Sequence, residues 1–170
     1  MEQWSIEVDK EKLKFSAAHF LIFPDGTAEC LHGHNYRVYV KINAPLCEHG
    51  LVFDFKKVKP VIQNLVDELD EQWLIPGLHN ELTAEKREDG VWEIRYRERY
   101  YAAPEADVTV LPITNTSVEN LAGYIGGRLR DRLIEEFPEC LLQGLYVAVE
   151  ETPGQRGVYC WTNEITAPVQ

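Results

Sequence analysis

Glu29-Cys30-Leu31-His32-Gly33-His34-Asn35-Tyr36 decides how this 170-residue chain is read. Between Glu29 and His34 it gathers a carboxylate, a thiol and two imidazoles, just after a loop with Pro24, Asp25 and Gly26. The residues that follow alternate: Tyr36, Val38, Val40 and Ile42 share one parity, and Arg37, Tyr39 and Lys41 the other. That is the pattern of a half-buried antiparallel strand. Side chains of a strand point to opposite faces with period two, so His32 and His34 project to one side and Gly33 to the other. Two imidazoles on one face need only a third ligand to hold a divalent transition metal. His19, closing the apolar segment Lys14-Phe15-Ser16-Ala17-Ala18-His19, suits a strand, a loop and the start of a second strand. His49 and His79 sit in Pro/Gly-containing stretches with no comparable spacing. Three histidines with no fourth protein ligand describe an open, catalytic zinc site and not a closed structural one.

The composition is that of a soluble globular protein with one domain over residues 1–170, long enough to bury a sizeable core. A net charge of −11 argues against nucleic acid or an anionic membrane as partner. No apolar run approaches the length of a bilayer span, and Met1-Glu2-Gln3-Trp4-Ser5 lacks the basic and apolar regions of a signal peptide, so cytoplasmic residence is the expectation. Cys30, Cys47, Cys140 and Cys160 are scattered without a disulfide-like pattern and are expected as thiols.

Along the chain, Trp4–Val8 and Leu13–His19 read as strands. Phe55, Val58, Val61, Ile62, Leu65, Val66 and Leu69 recur at helical spacing, with Asp54 placed as N-cap and the segment running through Glu68 to Glu71 before Pro76-Gly77. Val91–Tyr101, rich in aromatic and β-branched residues, is expected to pair with Asp107–Leu111 as a hairpin turning near Pro104. The Arg95, Arg97 and Arg99 row reads as a solvated strand face, with phosphate docking as the alternative. Thr116-Ser117-Val118-Glu119 has the spacing of a capping box and opens a second helix through Leu121, Ala122, Ile125, Leu129 and Leu133. Leu145–Glu151 and Val158–Trp161 close the chain as two strands joined by Pro153-Gly154. The order predicts an α+β domain with two helices on one face of an antiparallel sheet.

Taken together, Phe15-Ser16-Ala17-Ala18-His19, Leu31-His32-Gly33-His34-Asn35-Tyr36, Val52-Phe53-Asp54-Phe55, Leu69-Asp70, Thr116-Ser117-Val118-Glu119-Asn120 and Val147-Ala148-Val149-Glu150-Glu151-Thr152 resemble, in order, the 6-pyruvoyl-tetrahydropterin synthase / 6-carboxytetrahydropterin synthase family. The resemblance spans nearly the whole chain apart from an insertion around residues 76–110. It implies a tunnelling fold (T-fold), a ββααββ subunit here with an inserted hairpin. It further implies trimers stacked into hexamers with active sites at subunit interfaces, and zinc on His19, His32 and His34. It places a pterin on Glu151, helped by Thr116 and Ser117 at a helix start, in a lyase of queuosine or folate biosynthesis.

Two departures stand out. The family's catalytic thiol belongs four residues before the first histidine of H-G-H, where this chain has Ala28; Cys30 is too close. Glu29 instead forms E-x-x-H-G-H, which resembles a branch that cleaves dihydroneopterin to 6-hydroxymethyl-dihydropterin. The family's L-D-H reads Leu69-Asp70-Glu71, so its relay histidine is missing; Glu71 as a carboxylate base, His79 from the insertion, or no relay at all are the alternatives. The expected base is Glu29 first and Cys30 second, with Asp70 and Glu71 as supports. A pterin-binding protein without turnover is the competing reading.

Overall fold

The computed structural model describes residues 2–47 and 49–163, and the remaining positions of the expected single domain lie outside the described residues. In chain order the elements are β1 (Ser5–Val8), β2 (Lys14–His19), β3 (His32–Asn43), α1 (Phe55–Asp67), β4 (Gln72–Pro76), β5 (Leu82–Lys86), β6 (Val91–Tyr96), β7 (Arg99–Pro104), β8 (Val108–Leu111), α2 (Val118–Glu136), β9 (Gly144–Thr152) and β10 (Gln155–Thr162). Seven strands form one sheet in the order β10-β9-β3-β2-β4-β8, with β1 paired to the far end of β3. β10, β9, β3 and β2 are mutually antiparallel, as the alternation predicts. Both helices pack on one face of this sheet.

β3 is the backbone of the fold because its pattern holds for 12 residues. Tyr36, Val38, Val40 and Ile42 are buried against the helices, and the residues between them face away. Asp54 caps α1 as expected, accepting from the Lys56 amide at 2.8 Å. α1 buries Val58, Val61, Ile62, Leu65 and Val66, and α2 buries Leu121, Ala122, Ile125, Leu129 and Leu133. Each such aliphatic side chain contributes about 1.5–3 kcal/mol on leaving water. These two stripes meet the inner face of β3 and β9 to make the main core.

The insertion differs from the expected hairpin. The Val91–Tyr101 run folds back on itself at Arg97, whose φ of 51° makes the turn, so that β6 pairs with β7 and not with the segment after Pro104. β5 completes a separate three-stranded sheet. Val108–Leu111 instead joins the main sheet as β8, parallel to β4, which was not foreseen as a strand. The physical reason is burial: Trp73, Leu74, Ile75 and Pro76 are all buried, the near-continuous apolar run of a strand covered on both faces. α1 also stops at Asp67, and Glu71 takes a left-handed φ of 56° to turn the chain into β4. The small sheet lies over β4 and β8 and closes a second core of Phe20, Ile22, Trp73, Ile75, Leu82, Ile94, Tyr96 and Val108.

Candidate active site

β2 and β3 pair so that His19 stands directly opposite His32 and Ala17 opposite His34. Opposed residues of an antiparallel pair share a face, and the three imidazoles converge at the inner end of β3, as the parity argument requires. One nitrogen from each ring lies within 4.8 Å of the others. The ring orientations are set by backbone carbonyls. His19 Nδ1 lies 3.2 Å from the Thr116 carbonyl, and His32 Nδ1 lies 2.8 Å from the Cys30 carbonyl. Spending the Nδ1 proton on a carbonyl leaves Nε2 as a bare lone pair, the form that binds a metal. His32 Nε2 and His34 Nε2 are 2.9 Å apart; two nitrogens of a tetrahedral zinc site stand roughly 3.3 Å apart, given bonds of about 2.0–2.1 Å. The residues present therefore fit a zinc ion with an open position.

Tyr36 and Glu151 complete the cluster. Glu151 Oε1 lies 3.3 Å from His19 Nε2 and 3.5 Å from His34 Nε2. The fully buried Tyr36 hydroxyl is 3.0 Å from His19 Nε2 and 3.2 Å from Glu151 Oε1. One phenolic proton cannot serve both acceptors, so when Tyr36 donates to Glu151 the His19 Nε2 lone pair is left free. Burial, reinforced by the Glu151 charge, holds the phenol well above its usual pKa, and Tyr36 stays a donor. Burial likewise pushes the His19 imidazole down; Glu151 opposes that shift and His32 adds to it. His19 is thereby neutral and ready to ligate. Tyr36 was legible only as a core residue, although it shares parity with the histidines.

Glu29 Oε2 lies 3.9 Å from His32 Nε2 and accepts the Leu21 amide at 3.1 Å. It is the acid of the E-x-x-H-G-H stretch that reaches the cluster. Cys30 is exposed, supplies its carbonyl to His32, and keeps its thiol outside the group of ligand atoms. Asp70 and Glu71 gather at Ser16, beside a groove whose lining does not include Glu29. Asp70 accepts the Ser16 amide at 2.7 Å, and the Glu71 amide donates to the Ser16 carbonyl at 2.7 Å. Ser16 pairs with Asn35, whose parity is opposite to that of the histidines. Glu71 there lines an open groove of about 660 Å³ with Ser16, Gly33, His34, Asn35 and Asp107, so the groove borders one of the clustered histidines. His79 stacks edge-on against Tyr96 in the insertion, with ring centroids 5.6 Å apart.

The helix start also differs from the capping-box reading. Ser117 is the N-cap of α2 and accepts from the Asn120 amide. Thr116 is 1% exposed, and its polar groups are all engaged: hydroxyl on the Phe20 carbonyl, amide on Asn115 Oδ1, carbonyl on His19. Thr116 thus supports the histidine through its main-chain carbonyl. Asn115, not singled out in the sequence, clamps Ile22 through both its amide and its carbonyl. In the arginine row, Arg95 and Arg97 are exposed and pair with Glu93 and Glu81. Arg99 instead turns onto the carbonyls of Ala28 and Glu29. Glu150 faces away from the cluster, as its parity predicts, but is held by Tyr39 and Arg156. Its Arg156 partner keeps that carboxyl below the usual range.

The family model for 6-pyruvoyl tetrahydropterin synthase matches residues 7–160. The chain belongs to this family. A Methanocaldococcus jannaschii protein provisionally named 6-carboxy-5,6,7,8-tetrahydropterin synthase is 32% identical over 148 residues, covering 86% of this chain and 89% of its own. The 6-carboxy-5,6,7,8-tetrahydropterin synthase of Haemophilus influenzae is 32% identical over 73 residues, 40% of this chain and 51% of its own. Among solved structures, the 6-pyruvoyl tetrahydropterin synthase of Plasmodium vivax superposes with a TM-score of 0.88 at 25% identity, covering 96% of this chain and all of its own. The Plasmodium falciparum enzyme gives 0.87 at 26% identity, covering 95% and 99%. The tetrahydropterin synthase T-fold expected from the motifs is therefore the fold of this chain. No helix among the described residues is long and apolar enough to cross a membrane.

Proposed function

We propose that this member of the tetrahydropterin synthase family is a zinc-dependent lyase acting on the C6 side chain of a dihydropterin, dihydroneopterin or its triphosphate. The observation that carries the reading is the trio of Nε2 atoms from His19, His32 and His34, two of them oriented by backbone carbonyls, with a carboxylate on either side. When bound, zinc supplies Lewis acidity to the vicinal hydroxyls of the side chain and acidifies the bonds next to them. Glu29, beside His32, moves the proton, a contribution of roughly 10²–10⁴-fold. Glu151, held by Tyr36, accepts two parallel hydrogen bonds from the 2-amino-pyrimidinone edge of the pterin. Ser117, the N-cap of α2, helps hold the pterin, and Thr116 acts through His19. Asp70 and Glu71, gathered at Ser16, support the proton transfer, and the chains assemble as trimers stacked into hexamers.

Retro-aldol cleavage of dihydroneopterin to 6-hydroxymethyl-dihydropterin is the second reading. It is favoured by one observation: a carboxylate, and not the Cys30 thiol, stands beside the ligand cluster. Incubating zinc-loaded protein with dihydroneopterin and with its triphosphate, followed by mass spectrometry, separates the products. Glu29→Ala is expected to retain zinc and lose turnover. Turnover that survives Glu29→Ala but not Cys30→Ala overturns the choice of base. Tight pterin binding with neither substrate converted overturns the enzymatic reading.

A further inference from the structure

The inserted sheet is tied to the loop that carries Glu29, and it is tied through polar contacts as well as packing. Arg99, on β7, donates from both terminal nitrogens of its guanidinium to consecutive carbonyls, those of Ala28 and Glu29. Tyr96, at the end of β6, donates its hydroxyl to the Gly26 carbonyl at 2.8 Å. Beneath these contacts, Phe20 and Ile22 from the same loop sit in the second core with Ile94 and Tyr96. The loop's other ties are the bridge between Ile22 and Ala28, the Glu29 amide on the Leu21 carbonyl, the Glu29 carboxylate on the Leu21 amide, the turn closed between Phe23 and Thr27, the Thr116 hydroxyl on the Phe20 carbonyl and the Asn115 clamp on Ile22.

We propose that Arg99 is a positioning residue for Glu29, and that the inserted sheet serves this chain as the platform on which its base is held. The inference rests on the reading of Glu29 as the base. The carbonyls of Ala28 and Glu29 bracket the Cα of Glu29, so fixing both fixes the direction in which its side chain leaves the backbone. A planar guanidinium presents two donors in a rigid fork and can hold two neighbouring carbonyls at once; an ammonium is a point donor and cannot reproduce the geometry. Misplacing a proton-transfer group by about 1 Å can cost on the order of 10²-fold in rate without weakening substrate binding. Arg95, on the same small sheet, is exposed and spends its guanidinium on Glu93 and the Tyr100 ring rather than on the loop, which makes it the internal control.

The experiment compares Arg99→Gln, Arg99→Lys, Tyr96→Phe and Arg95→Gln on the zinc-loaded protein, each alone and in a Glu29→Gln background. Arg99→Gln is expected to lower kcat at least tenfold with KM within about twofold of the parent and zinc content unchanged. Arg99→Lys recovers only part of that loss, Tyr96→Phe costs less, and Arg95→Gln costs nothing. In the Glu29→Gln background, Arg99→Gln is expected to add no further loss, because a residue acting only through Glu29 has nothing left to position. Amide exchange at Glu29 should rise in Arg99→Gln. Full additivity, a raised KM at unchanged kcat, or unchanged kcat overturns the proposal. Should Arg99→Gln fail to fold, as shown by its melt, Arg99→Lys in the two backgrounds decides the question alone. Glu29→Gln with full activity sinks the base assignment itself, a result distinguishable from a failure confined to Arg99.

Discussion

Adding one methyl group at Gly157 tests how the helix start controls the metal site. Gly157 lies on β10, paired with Val149, and its Cα faces the first turn of α2. A Cβ there would stand 2.3 Å from the Val118 carbonyl carbon, 2.4 Å from the Glu119 nitrogen and 2.6 Å from the Val118 oxygen. All three are backbone atoms, so no rotamer change relieves the clash. Heavy atoms settle at roughly 3.5 Å, so strand and helix must part by about 1 Å. Overpacking of this kind costs about 1–3 kcal/mol. For a domain of this size that is a fall in Tm of roughly 2–12 °C, at about 2–4 °C per kcal/mol. The same movement strains the contact between the Thr116 carbonyl and His19 Nδ1, which is already at 3.2 Å. Losing such an orienting partner lowers metal affinity roughly 10–100-fold. Gly157→Ala should therefore melt earlier and bind zinc more weakly, measured by thermal denaturation and by competition with a chromophoric chelator. Gly127→Ala is the control: a Cβ there meets nothing within 4 Å, and removing a helical glycine stabilises by about 0.5–1 kcal/mol. A Gly157→Ala protein that melts lower but holds zinc as tightly as the parent would refute the claim that the helix start orients His19.

Tyr36→Phe removes the donor that Glu151 uses inside the cluster, and the metal-free protein should lose about 1–2 kcal/mol; an unchanged melt would show that the bond contributes nothing. Among the cysteines, burial raises the Cys140 thiol while Cys30, Cys47 and Cys160 are exposed. A raised pKa means less thiolate at neutral pH, so Cys140 should be the slowest to be alkylated, gaining rate only as pH climbs through its raised value. Alkylation mapped by mass spectrometry with Cys140 reacting first would contradict this.

The sequence by itself determined the frame and the three histidines that meet on it. The alternation from His32 to Ile42 set a strand, its face and the side on which the imidazoles stand, because period two leaves no freedom in direction. Helical spacing from Phe55 and from Val118 set the two stripes that cover that strand. What it left undecided depended on partners distant in the chain. The apolar run at Trp73–Pro76 has no period, so only its neighbours in space show it to be a parallel strand between β2 and β8. The turn at Arg97 requires a positive φ that no glycine signals, which hid the true hairpin. Thr116 carries its effect through a main-chain carbonyl, and Arg99 reaches two carbonyls some 70 residues away. Every residue offers the same carbonyl, so no pattern of side chains can mark which of them will orient a histidine or anchor a loop; only the fold makes that choice.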